Sequence, residues 1–325
     1  MKELVSEEFS TVLFMKKNNV ENSEQLHLSY LNDTTCCSIM PSFYIIEPTN
    51  YCNYSCPICP NRLYVDHEKG YMSFDLFEKI VLQIKDFADI IQLYWVGEPL
   101  LHPRIFDMIS YCKANTRAKV MISTNGSLLS EDNCRKLVAS GLDKLIVSMD
   151  AADSNEVYNA MRTCGDIAKL NTNVTHLMSY ANQLDITLQF ILTNVNEIEK
   201  DKFVKKWESY GVKISVQCLY TWANQLPELN DFSHYKSPMI GQARVPCADL
   251  WYKIAIHWNG YVSRCCFDWS FKNIIGNLNS MTIREVWNAS KLHSLRDCHQ
   301  KLNFDTLCKE CDAWATEQEY EYLFE

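Results

Sequence analysis

From Ser42 onward the 325-residue chain alternates short apolar, β-rich runs with stretches of helical periodicity. That alternation commits it to βα units around a parallel sheet. The β-rich runs are Phe43–Glu47, Ile91–Val96, Lys119–Ser123, Lys144–Met149, Asp185–Leu192 and Val212–Leu219. Between the first two, apolar residues at 74, 77, 80, 81, 84 and 87 mark one face of a helix. Ser73 is its N-cap, with Met72 and Phe77 placed as a hydrophobic staple. Further helices are expected over 102–114, 130–140, 154–162, 166–182 and 196–210. Six such units predict an α/β fold, a partial (β/α)6 TIM-like barrel. Its sites belong at the C-terminal strand ends.

Residues 1–41 are polar and weakly patterned, and read as an N-terminal extension with a short helix around 7–17. The barrel is expected over 42–222. Residues 223–246, with Pro, Asn, Asp, Ser and Gly, read as a linker to a small domain over 247–325. There WYKIAIHWNGYVSRCC predicts a hairpin turning at Asn259-Gly260. Thr282 and Glu285 form a capping box for a helix through about Arg296.

Net charge is −9 and no basic stretch stands out, which argues against nucleic acid or an anionic membrane as partner. No apolar run reaches the roughly 18 residues of a membrane span. The opening MKELVSEEFS has no basic segment leading into an apolar one, so the expected location is the cytoplasm. Fifteen cysteines are then anomalous, because a reducing compartment keeps thiols free. Metal ligation or redox chemistry accounts for them better.

Cys52, Cys56 and Cys59 stand in TNYCNYSCPICP, a C-x3-C-x2-C spacing just after the first strand. A loop this tight can deliver three thiolates to an iron–sulfur cubane, leaving one iron open to a chelating small molecule. A zinc site or unrelated buried thiols fit the same spacing, although zinc favours paired C-x2-C or histidine ligands. His67 is the nearest histidine, eight residues on.

With that loop and barrel, the chain resembles the radical S-adenosylmethionine superfamily. Gly97-Glu98-Pro99 follows the second strand, like the segment that contacts the methionine amino group in that family. Ser123-Thr124-Asn125-Gly126 follows the third, and Ser148-Met149-Asp150 ends the fourth, where members contact the ribose or carboxylate. Arg162 is similar to an arginine that pairs with the methionine carboxylate. Ile58 stands where the family often has an aromatic residue. The resemblance spans about 42–220. It implies Cys52, Cys56 and Cys59 as ligands of a [4Fe–4S] cluster, and Gly97, Glu98, Pro99, Asn125, Ser148 and Arg162 at S-adenosylmethionine. It also implies reductive cleavage to a 5′-deoxyadenosyl radical, with a flavodoxin- or ferredoxin-type electron donor. Taken singly, Glu98 also reads as a helix-start carboxylate, Asn125-Gly126 as a turn and Arg162 as a surface ion pair.

Cys247 and Cys265, then Cys308 and Cys311, give C-x17-C followed by C-x2-C. Four thiolates complete a cubane and equally suit a zinc ribbon. With the Trp258-Asn259-Gly260 turn, Cys266, Gly276-Asn277 and Trp287, the segment 247–311 resembles a SPASM/twitch auxiliary-cluster domain. It resembles the reduced, single-cluster version, as in cyclitol dehydrogenases of the butirosin type. That resemblance implies a second [4Fe–4S] cluster passing one electron, hence a net oxidation. It points to a small polar metabolite such as a cyclitol or amino sugar. A radical epimerase or ribosomal-peptide-modifying enzyme is the other reading, with Cys266 or Cys218 as hydrogen donor. A non-catalytic metal-binding protein is the most distant.

The substrate, small molecule or peptide, is expected at the barrel mouth near Tyr94, Trp95, Gln189, Gln217, Tyr220 and Trp222. An extension of this length falls short of the roughly 50 residues of a peptide-recognition domain. Cys298 is an extra thiol, and Cys36, Cys37, Cys112, Cys134 and Cys164 read as structural.

Overall fold

A computed structural model describes residues 39–63, 69–233 and 243–311, together with 25, 26, 28–30, 32 and 35. The expected helix over 7–17, Cys36, Cys37, His67 and everything after residue 311 lie outside these.

The strands are β1 (Phe43–Ile46), β2 (Ile90–Gln92), β3 (Lys119–Thr124), β4 (Lys144–Ser148), β5 (Asp185–Leu192) and β6 (Lys213–Cys218). Between them run α1 (Phe74–Ile84), α2 (Ile105–Asn115), α3 (Glu131–Ala139), α4 (Asn155–Met161), α5 (Ile167–Leu177) and α6 (Glu197–Trp207). All six strands pair in parallel, in sequence order, as a partial barrel requires. Side chains of the expected kind cap the helices: Ser73 accepts from Leu76 N at 3.2 Å, and Ser130, Ser154 and Asp166 do the same for α3, α4 and α5.

The alternation of side chains along each strand divides two cores. Tyr44, Ile46, Ile91, Val120, Leu145 and Leu188 pack outward with Phe77, Ile80, Met108 and Trp207 from the helices. Phe43, Ile45, Ile90, Met121 and Ala255 form a smaller cluster on the opposite face, inside the barrel. Both faces are apolar, which is why the strands read as near-continuous runs.

β2 is shorter than the run Ile91–Val96. Leu93 N still donates to Met121 O of β3 at 2.9 Å, and beyond it the chain leaves the ladder and bends toward the first cysteine loop. There Asn61 Nδ2 donates to Val96 O at 3.0 Å and Glu98 N to Tyr51 O at 2.8 Å.

The sheet does not stop at β6 and β1. After the one-turn helix α7 (Asp249–Tyr252), β7 (Lys253–Ile256) pairs in parallel with β1. β8 (Tyr261–Ser263) and β9 (Ile274–Asn277) follow antiparallel, giving nine strands in the order β6-β5-β4-β3-β2-β1-β7-β8-β9. The turn falls at Asn259-Gly260 as expected, with Gly260 at φ +85°. The capping box at Thr282 and Glu285 is present. The helix it opens is broken, into α8 (Ile283–Trp287) and α9 (Ser290–Gln300), with α10 (Thr306–Lys309) beyond. Arg296, fully buried, reconciles the break: its guanidinium donates to the freed Trp287 carbonyl at 3.2 Å and to Leu250 O at 2.9 Å. The described part of the expected linker is packed, with Leu226 and Leu229 buried. Among the described residues no helix is long and apolar enough to cross a membrane.

Glu199 on α6 is buried and accepts the backbone N–H groups of Ala152, Asp153 and Ser154 at 3.2, 2.9 and 3.0 Å, and Lys202 Nζ at 3.0 Å. Burial pushes its carboxyl up, but these donors prevail and hold it at about 2. A carboxyl held below its unfolded value stabilises the fold above that value, and the stabilisation disappears as pH falls toward the folded one. Glu199→Gln is therefore expected to lose stability at neutral pH and to lose less on acidification. Urea unfolding at pH 6 and pH 2 should separate wild type from variant by about 2–3 kcal/mol in that difference.

Candidate functional site

A cavity of about 340 Å3 opens at the C-terminal strand ends and runs down the barrel interior. Cys52, Cys56 and Cys59 border its mouth. Their loop is pinned from three sides. Asn61 Nδ2 donates to Asn50 O at 2.7 Å, Arg62 Nε to Pro57 O at 3.0 Å, and Trp222 Nε1 to Ile58 O at 3.2 Å. Gly97 is there because nothing larger fits: a Cβ would lie 2.0 Å from the Thr49 carbonyl oxygen.

Glu98 is buried beside the loop. Its Oε1 accepts from Thr124 Oγ1 at 2.8 Å and Leu100 N at 3.1 Å, and its Oε2 from Asn125 N at 2.8 Å. Burial raises its carboxyl above the ordinary range against these donors. Asn125 Nδ2 donates to Asn53 Oδ1 at 2.9 Å, tying the β3 end to the cysteine loop. Pro99 does not line the cavity; it opens the 3-10 turn Pro99–Leu101 behind Glu98.

Arg162 lines the cavity and forms a buried ion pair, not a surface one. Its Nε and Nη2 both lie 2.6 Å from Asp150 Oδ2, and Asp150 Oδ1 accepts from Ile191 N at 2.6 Å. Asp150 is fully buried at φ +60°, a left-handed conformation that strains a non-glycine residue. Burial works against the guanidinium charge, but Asp150, Cys56 and Tyr158 hold it well above its usual range. Ser148, Gln189 and Gln217 lie side by side across β4, β5 and β6 on the inner wall: Ser148 Oγ to Gln189 Oε1 is 3.3 Å, and Gln189 Nε2 to Gln217 Oε1 is 3.0 Å.

Cys247, Cys265, Cys308 and Cys311 border a second, smaller cavity with Arg244 and Arg264. Arg264 forms a two-pronged ion pair with Asp305 and donates to Cys308 Sγ at 3.6 Å. Arg244 donates to the carbonyls of Cys308 and Cys311. Cys247 N donates to His299 Nδ1 at 3.1 Å, and burial drives His299 down to about 4. The two cavities share a wall. Cys265 faces the second, Cys266 faces the first and Phe267 borders both. Cys218 also lines the barrel cavity, while Cys298 lines neither. Cys112 and Cys134 are buried, but Cys164 is exposed at φ +73° and is no core filler.

Burial is the first cause that raises six of the thiols at the two cavities: Cys52 to about 11, Cys59 to about 12, Cys265 to about 11, and Cys56, Cys247 and Cys308 likewise upward. Neighbouring thiols then raise Cys52, Cys59, Cys247 and Cys308 further. Grouped, buried thiols of this kind become stable thiolates when metal sits among them. Among the described residues no three His, Cys, Asp or Glu side chains could hold one metal ion. Three thiols at one cavity and four at the other are the donor chemistry that a four-iron cluster takes.

Residues 46–172 match the Radical SAM superfamily, and residues 247–312 match the SPASM family, described as an iron–sulfur cluster-binding domain. Together the two cover more than half of the chain. The chain is a radical S-adenosylmethionine enzyme with a SPASM domain. Its cofactors are accordingly S-adenosylmethionine, the [4Fe–4S] cluster of the barrel, and further iron–sulfur in the SPASM domain. It is 31% identical over 194 residues to a tungsten-containing aldehyde ferredoxin oxidoreductase cofactor-modifying protein of Pyrococcus furiosus. That match takes in 58% of the chain and spans 46% of the relative's length. The S-adenosyl-L-methionine-dependent 2-deoxy-scyllo-inosamine dehydrogenase of Niallia circulans is 23% identical over 288 residues, covering 86% of the chain and 96% of the relative. Among solved structures, BtrN in complex with AdoMet and 2-DOIA superposes with a TM-score of 0.59 at 20% identity, over 85% of this chain and 94% of that one. SuiB of Streptococcus suis bound to S-adenosylmethionine gives 0.66 at 16% identity, over 90% and 77%. At such identities these structures bear on the fold alone.

Sequence reading did not single out Lys144, Lys253 or Thr187, all of which line the barrel cavity. The available signal was the period of two: Lys144 and Thr187 sit two residues from Ile146 and Gln189, on the inner face.

Removing Asp150 leaves the Arg162 charge buried without its partner. Asp150→Ala is expected to destabilise the fold by about 3–5 kcal/mol, read as a lower urea midpoint.

Proposed function

We propose that the enzyme oxidises a hydroxylated small molecule by a radical route, an alcohol carbon becoming a carbonyl as its C–H hydrogen goes to the 5′-deoxyadenosyl radical, its hydroxyl proton to solvent and one electron to the second cluster. Cys52, Cys56 and Cys59 would hold the first cluster, and Cys247, Cys265, Cys308 and Cys311 the second. With its cluster and S-adenosylmethionine bound, the barrel site supplies a 5′-deoxyadenosyl radical that removes hydrogen from a substrate C–H bond.

The chain's own residues do the rest. Arg162, fixed by Asp150, sets a permanent cation beside the cysteine loop, suited to a carboxylate of the bound cofactor. Glu98 has a fourth lone-pair position left beyond its three donors, suited to an ammonium group. Gly97 keeps this segment against the loop, and Ser148 offers a hydroxyl at the end of β4. Trp95 and Phe267 close the cavity on the side of β7. The observation that carries the oxidative reading is the shared wall: Cys265 and Cys266, adjacent in sequence, face different cavities with Phe267 against both. A substrate radical in the barrel is one side chain away from an electron acceptor.

Anaerobic protein reconstituted with iron and sulfide, given S-adenosylmethionine and a strong reductant, is expected to form 5′-deoxyadenosine. Cys52→Ala/Cys56→Ala/Cys59→Ala is expected to form none. Cys308→Ala/Cys311→Ala should still form it but lose the carbonyl product. Absence of 5′-deoxyadenosine from fully loaded wild type would overturn the radical reading.

One observation favours epimerisation instead: Cys218 and Cys266 both present thiols to the cavity, and Cys266 Sγ donates to Asp249 Oδ2 at 3.5 Å. Under that reading Cys266→Ala or Cys218→Ala abolishes inversion while hydrogen abstraction continues. No effect of either rules it out. A peptide substrate, as in the PqqA peptide cyclase relative from Streptomyces rochei, is the remaining class.

A further inference from the structure

The barrel cavity differs in charge from the chain around it. The chain carries net −9, yet among the described lining residues Lys144, Arg162 and Lys253 are cationic and Glu98 alone is a carboxylate. Arg162 belongs to the mouth, beside the cysteine loop. The two lysines lie at the opposite end, where each opens a strand: Lys144 begins β4 and Lys253 begins β7. With β1, β2 and β3 between those strands, the lysines reach the floor from different walls. Both are buried, and buried ammonium groups are costly to hold. Lys253 Nζ lies 3.1 Å from Asp249 Oδ1 and 4.9 Å from the centroid of the Phe43 ring, and Lys144 Nζ lies 3.6 Å from Asp185 Oδ2. Neither aspartate lines the cavity, so these links fix the lysines from behind.

Above the lysines the wall is neutral and polar. Ser148, Gln189, Gln217 and Ser215 form one hydrogen-bonded row, closed by Gln217 Nε2 to Ser215 Oγ at 3.2 Å. Thr187, 3% exposed and lining the same cavity, has a hydroxyl with no protein partner. An unmet buried hydroxyl in a cavity calls for a ligand hydroxyl or water. Ser148 stands four residues above Lys144 on β4, roughly 13 Å along the strand. A molecule touching both is elongated.

We propose that the substrate is an elongated polyhydroxylated acid, its oxyanion end held on the floor by Lys144 and Lys253 and its hydroxyls along Thr187 and the Ser148–Gln189–Gln217 row. This rests on the radical oxidation proposed above and narrows its substrate from polar metabolites in general to anionic ones. An amino sugar would set its ammonium beside the two lysines of the floor.

The test is anaerobic titration calorimetry on the reconstituted enzyme with S-adenosylmethionine present. The probes are D-gluconate, sorbitol and sorbitol 1-phosphate, which share a hydroxyl chain and differ only at C1. Gluconate or the phosphate is expected to bind at least about tenfold tighter than sorbitol, and whichever binds tighter identifies the oxyanion. Lys253→Met should remove about tenfold of that preference and Lys253→Arg should restore most of it. Lys144→Met, whose partner Asp185 is exposed, provides a second variant that leaves no buried carboxylate unpaired. Equal binding of sorbitol and both anions by wild type overturns the inference, as does a preference indifferent to both lysines. 5′-Deoxyadenosine formation, measured on the same wild-type preparation, reports separately. Its presence without anion preference sinks the floor assignment alone, and its absence with preference intact sinks the radical reading alone.

Discussion

The parallel pairing of β1 with β7 is the contact on which the rest of the molecule depends. Four registered residue pairs, Phe43 to Ile46 against Lys253 to Ile256, bring the C-terminal hairpin against the barrel. Beyond the ladder the junction is sealed by buried groups. Glu47 N donates to Ile256 O at 2.9 Å, and His257 reaches Glu47 Oε2 at 3.5 Å and Ser263 Oγ at 2.7 Å. The imidazole is sandwiched, with Trp95 at 4.4 Å and Phe271 at 3.8 Å between ring centroids. Trp95 in turn donates to Cys266 O at 2.9 Å. The second cavity is thereby set by backbone hydrogen bonds rather than by a flexible tether, and backbone ladders leave little freedom in distance or angle.

The same junction explains the uneven filling of the barrel. Below the cysteine loop Phe43, Ile45, Ile90, Met121 and Ala255 pack against one another, while the wall from β4 to β6 carries serine, threonine and glutamine. A barrel filled throughout would be more stable and would bind nothing. Local strain gathers at the same end. Asp150 is left-handed, and Trp222, Ala223 and Asn224 are three successive left-handed residues at φ of 56–57°. Such conformations cost on the order of 1–3 kcal/mol each and persist where surroundings over-determine them. Here Trp222 is held to Ile58 of the cysteine loop, and Gln225 to Trp222 O and Phe267 O.

The barrel was legible because its signals are local. Periodicity, Ser73 as a cap, and the Asn259-Gly260 turn each act within a few residues. The cysteine groups were legible from spacing. What escaped depends on distance through the chain. Arg162 and Asp150 are twelve residues apart, and their contact is buried where Asp150 is left-handed and held by Ile191 N of β5. Lys144 and Lys253 look like ordinary strand-start lysines until the sheet closes and both turn inward. The break between α8 and α9 needs Arg296 to reach back to Trp287, which helix propensity does not encode. β2 ends earlier than the run Ile91–Val96 because the run has strand-like side chains throughout, whereas beyond Leu93 the chain turns to the neighbouring loop, where the Val96 carbonyl accepts from Asn61.

The wall between the cavities is one chain thick, and it is built on a turn. Cys265 belongs to one side and Cys266 to the other where the chain reverses just after β8, with Asp268 N donating back to Cys265 O at 3.2 Å. Adding or deleting a single residue between Ser263 and Phe267 would displace that turn and carry a thiol away from its cavity. In a library of variants, or in the history of such a chain, this stretch would tolerate changes of side chain far more readily than changes of length. The segment behaves as a counted spacer, and its length is as much a part of the active site as any of its atoms.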